Sequence, residues 1–246
     1  PEPEPAQRVV DLRARALSAL PEIDARIAGA LDRGRAACEE PWAGARLNKA
    51  VDPYSLALHQ EGRSRRDQTA SAMRNTQKGV AYFRLLNAKQ LERWNGLAED
   101  IDFSRSRLVE SLRDLEELSE ALTGENPSRR TSESVAAELG EMWTSLRAID
   151  GGVLRAREFL EEHREEWAEL AEQARVADPD GLEVQPRTRE KGERMLSEFL
   201  AMEESFSALT GASEKHLDLL VAATEPLLEE LNELRRIYKP SRRDQR

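Results

Sequence analysis

The chain has 246 residues and a net charge of −10, with 34% charged, 39% hydrophobic and only 5% aromatic residues. That balance disfavours non-specific binding to nucleic acid or to an anionic membrane surface. The single cysteine, Cys38, excludes an intrachain disulfide, a CxxC redox pair and a Cys-rich metal site, and leans towards a reducing, cytoplasmic compartment.

Ala, Leu, Glu and Arg dominate over β-branched residues and aromatics, which favours helix over strand. Apolar residues recur with strong periodicity, so the high polarity reflects solvated helix faces and not disorder. No apolar run reaches the roughly 18 residues that would mark a membrane-spanning helix. The start at Pro1 without Met reads as a mature form or an excised fragment.

In chain order, residues 1–6 (PEPEPA) read as a stiff, extended tether. A helix is predicted from Gln7 to about Glu40, with Val9, Ala16, Leu20, Ile23, Ile27 and Ala30 on one stripe. Its phase persists across Pro21, so a kink or tight restart is expected there. Asp52-Pro53 suits a helix cap followed by Pro at the first helical position, giving a short helix to about Glu61 before a polar break at Gly62–Arg66.

The next segment carries a four–three spacing of Met73, Gln77, Val80, Arg84, Asn87, Leu91, Trp94, Ala98, Ile101, Arg105, Leu108, Leu112, Leu115, Ser119 and Leu122. This is a heptad seam, ended by Gly124 and Pro127. Arg84, Asn87 and Arg105 interrupt it, and the two arginines are read as reaching out to the acid-rich surface of a neighbour.

Thr131 is read as the cap of the next helix, with the seam Val135, Leu139, Met142, Leu146, Ile149, Val153, Ala156, Leu160, His163, Trp167, Leu170 and Ala174. Ala136, Trp143 and Ala171 widen that stripe, so more than one neighbouring helix must cover it. Gly151-Gly152 is expected to weaken or bend the helix. After a loop at 178–187, a last helix runs from about Thr188 to Lys239, with Met195, Phe199, Met202, Phe206 and Leu209 in register and Pro226 expected to kink it.

These elements predict an all-α fold: an elongated antiparallel bundle of three to four long amphipathic helices with coiled-coil-like packing. The bundle is read as one domain over 7–239, followed by a basic tail at 240–246. Short loops between long helices make consecutive helices antiparallel neighbours.

The chemistry-bearing residues are few. The residues three before His59, His163 and His216 are Leu56, Leu160 and Ser213, so the Glu-x-x-His pairing of a di-iron bundle is absent. His163 and His216 fall on predicted seams, where a facing pair would titrate together. No Gly-x-Ser-x-Gly elbow, P-loop or Gly-x-Gly-x-x-Gly stretch occurs. Arg63, Arg65 and Arg66 form a basic cluster without interleaved aromatics for stacking bases. Arg129-Arg130-Thr131-Ser132 has the form of a basic-directed kinase site.

The expectation is a non-enzymatic structural or scaffolding protein that acts through protein–protein interaction or self-association, with no cofactor or metal. Its partner is another protein or a second copy, with no nucleic acid and only indirect membrane contact. The alternative is a ligand-sensing helical bundle from a membrane receptor. The expected interface is Leu217, Val221, Leu228, Leu231 and Tyr238, where apolar residues spread beyond one stripe near Pro226. The competing expectation is that helical drift rotates these residues into the core.

Overall fold

The computed structural model describes residues 4–42, 68–124, 128–176 and 186–238. These residues form four helices: α1 (Pro5–Glu39), α2 (Gln68–Leu122), α3 (Arg129–Val176) and α4 (Pro186–Ile237), with a 3-10 turn at Glu40–Trp42 after α1. No strand occurs among the described residues. The fold is an all-α helical bundle. The expected short helix at 53–61 and the break at 62–66 lie outside the described residues.

Helix boundaries follow local chemistry. α1 and α4 both begin at a proline, two residues earlier than the periodicity suggests. Proline lacks the N–H that a first-turn residue cannot use, and its φ already suits the helix. The Arg8 N–H donates to the Glu4 carbonyl at 3.1 Å, which sets the start of α1. α3 is capped by Ser128, not by Thr131. The Thr131 N–H donates to Ser128 Oγ at 3.1 Å, which places Thr131 inside the first turn. α1 stays helical through Pro21 and α4 through Pro226. α2 ends at Leu122, and the Thr123 N–H closes onto the Ser119 carbonyl.

The described residues divide into two compact units, each assembled from pieces of all four helices. The described residues within 1–31, 96–157 and 214–246 form the first, and those within 32–95 and 158–213 form the second. Neither is a contiguous stretch, which departs from the layout of tandem repeats.

In the first unit the helices follow one another around an up-down-up-down ring. Arg13 of α1 donates to the Leu112 carbonyl of α2 and pairs with Glu116, while Asp24 pairs with Arg105. Arg107 of α2 pairs with Glu141 of α3, and Arg155 of α3 with Asp100. Asp150 of α3 meets Thr224 of α4, and Arg157 meets Asp218. Arg8 of α1 reaches Glu230 and Glu233 of α4, and Gly29 lies against His216, to close the ring. In each pair one number rises as the other falls, so neighbours are antiparallel.

The core of this unit is aliphatic. Val9, Leu12, Ala16, Ile23, Ile27, Ile101, Leu108, Leu112, Leu115, Leu139, Leu146, Ile149, Leu220 and Leu231 are all buried. Gly152 has a packing role that the helical pattern does not reveal. A Cβ there would lie 2.5 Å from Ile101 Cγ1, so the glycine lets α2 and α3 approach closely.

The second unit has an aromatic core instead. Trp94, Phe159, Trp167, Phe199 and Phe206 are buried with Met195 and Met202. Trp167 stacks on both Phe199 and Phe206, with centroids 5.5 and 5.1 Å away. Trp94 packs against Phe159 at 5.3 Å and occupies the notch left by Gly34 of α1.

Every seam position of α3 with described burial, from Val135 to Ala174, is buried. Side-chain burial is not described at Leu170 or over 68–89, which takes in the first half of the α2 seam. Arg105 behaves as the sequence suggests, turning outward to place a bidentate pair on Asp24 at 2.8 and 2.6 Å.

Candidate functional site

The sequence-predicted interface lies on the last two turns before and the three turns after Pro226, in the first unit. Leu217, Leu228 and Leu231 are 1%, 7% and 0% exposed. Val221 and Tyr238 are half-buried. The premise that these residues lie exposed together therefore does not hold for the three leucines. An α-helix drifts by about 20° per heptad relative to a strict seven-residue repeat, so a position that is off-seam on paper turns inward. α4 is also flanked by both α1 and α3, which cover a wider stripe than one partner would.

Several polar groups near this stretch are held between helices. Thr224 is fully buried, and its Oγ1 lies 3.2 Å from both Asp150 Oδ1 of α3 and the Val221 carbonyl. Burial pushes the Asp150 carboxyl above the usual Asp range. The Thr224 hydroxyl and the Arg147 guanidinium partly oppose that shift, and Glu225 adds to it. The Trp143 ring of α3 is covered by the Arg235 guanidinium of α4 at 4.3 Å, with Arg147 at 6.0 Å. Burial raises the Tyr238 phenol above its ordinary value. On α3, burial also raises the Glu138 carboxyl, helped by the charges of Asp114 and Glu141.

The two histidines of the expected pair belong to different units. His163 is buried, stacks on Phe159 at 4.3 Å, and places Nδ1 2.6 Å from the Phe159 carbonyl. Since a carbonyl only accepts, that contact makes Nδ1 the protonated nitrogen. His216 lies against Gly29 of α1, where a Cβ would sit 2.5 Å from the imidazole Cε1, and its buried Nδ1 has no hydrogen-bond partner among the described residues. His59 lies outside the described residues.

Cys38 is buried, and desolvation, with a smaller contribution from Glu39, pushes its thiol up to about 12. Among the described residues no group of three or more His, Cys, Asp or Glu side chains is arranged to hold a metal ion. None of the helices, over the described residues, is long and apolar enough to cross a membrane.

At the kinase-like motif, Arg129 and Arg130 are exposed and Ser132 is half-buried in the first turn of α3. Arg129 pairs with Glu133 at 3.0 Å. The Arg63, Arg65 and Arg66 cluster lies outside the described residues.

Among the described residues, large apolar side chains on the outside are scattered over four helices: Leu17 on α1, Phe103 on α2, Leu154 on α3 and Ile237 on α4. Phe103 is the most open of these, at 69%. Seam counting misses it because it lies off the seam. That off-seam position is itself the signal that identifies an outward-facing Phe.

Comparison of the chain with protein-family models, curated proteins and solved structures finds no match.

Proposed function

We propose that the chain is a non-enzymatic structural or scaffolding protein whose outer helix faces make protein–protein contacts, with a partner or with a second copy. The observation that supports this reading is how fully the inward stripes serve the bundle itself. The α3 seam from Val135 to Ala174 is buried wherever burial is described, and aromatic rings fill the interior of the second unit. Side chains already committed to the core leave recognition to the solvent-facing residues. Those faces are rich in charge, which suits selective contacts with a polar rim more than general adhesion.

The test has two arms. Light scattering coupled to size exclusion, over a wide range of protein concentration, reads self-association. Affinity capture from the native source, followed by reconstitution with each purified candidate, reads direct partners. Phe103→Ser is included as an outer-face variant that leaves the core intact. A concentration-dependent dimer, or a reconstituted complex, supports the proposal. A chain that stays monomeric, reconstitutes no complex and turns over a substrate refutes it. A small molecule that raises the melting temperature in the absence of any protein partner would instead favour the ligand-sensing alternative.

A further inference from the structure

We draw no further inference here: the strongest candidate, the His216 imidazole of α4 seated on Gly29 of α1 with its buried Nδ1 unpartnered, carries none because nothing among the described residues shows a ligand or a charged group that answers that nitrogen.

Discussion

Gly34→Ala is a single-methyl test of the second unit's core. An exposed helical Gly→Ala change normally stabilises by about 0.5–1 kcal/mol, because alanine loses less backbone freedom on folding. At Gly34 the added Cβ would lie 2.5 Å from Trp94 Cε2 and closer still to the ring's outer edge, against an ordinary contact of 3.4–4 Å. The Trp94 ring is rigid, fully buried and backed by Phe159, which is itself stacked on His163, so it has little room to retreat. Overpacking of this kind costs about 1–3 kcal/mol.

Net of the helix gain, Gly34→Ala should destabilise by about 1 kcal/mol, with the upper end near 2. Gly96→Ala is the control, since nothing lies within 4 Å of its Cβ position, and it should stabilise by about 0.5–1 kcal/mol. At roughly 2–4 °C per kcal/mol for a chain of this size, the two variants should melt about 3–8 °C apart, with Gly34→Ala the lower. Urea midpoints at unchanged slope give a second reading. If Gly34→Ala is as stable as Gly96→Ala, the close approach of α1 to Trp94 is not present in solution.

Three further outcomes follow from the same structure. Leu228→Glu buries a carboxylate in the first unit and should lower stability by several kcal/mol, whereas Val221→Glu, at a half-buried position, should cost markedly less in the same melts; equal losses would contradict the difference in burial between the two positions. The folded-state carboxyl of Asp150 lies above its unfolded value, so ionisation there opposes folding above that range and the penalty disappears as pH falls below it. Asp150→Asn should therefore gain on the parent near neutral pH and lose that advantage through the acidic carboxylate range, and a gain independent of pH would argue against desolvation as the cause. Cys38, buried and with its thiol pushed up to about 12, should resist a thiol reagent in the native protein and react at once in denaturant, so rapid native labelling would overturn its placement.

Most of the architecture is legible in the sequence because one-dimensional periodicity and helix burial are the same fact seen twice. The α3 seam succeeds wherever burial is described, even at His163, because a four–three spacing forces those side chains onto one face. The α2 end at Leu122 is equally legible from Gly124 and Pro127. Other features depend on which residues meet in three dimensions, and periodicity is silent on that. Gly34 beneath Trp94 and Gly152 beneath Ile101 read only as weak helix formers until a neighbour's ring or branch is placed on them. The cap of α3 could be assigned to any of several hydroxyls in Ser128–Ser132, and only the backbone path selects Ser128. A strict heptad count misplaces Leu228 for a geometric reason, since it ignores the drift of a real helix and the second flanking neighbour.

The interleaving of the two units bears on how the protein is made. Arg8 and Glu233, which join the first and last helices, are 225 positions apart along the chain. The second unit has all its pieces available once residue 213 has been synthesised, while the first must wait for the last helix although it holds the first 31 residues. For that interval α1 has no α4 to cover its apolar stripe, although a helical bundle is usually a fold of local contacts. A ribosome that stalls between residue 213 and the end of α4 therefore leaves both α1 and α3 without their α4 cover in the first unit.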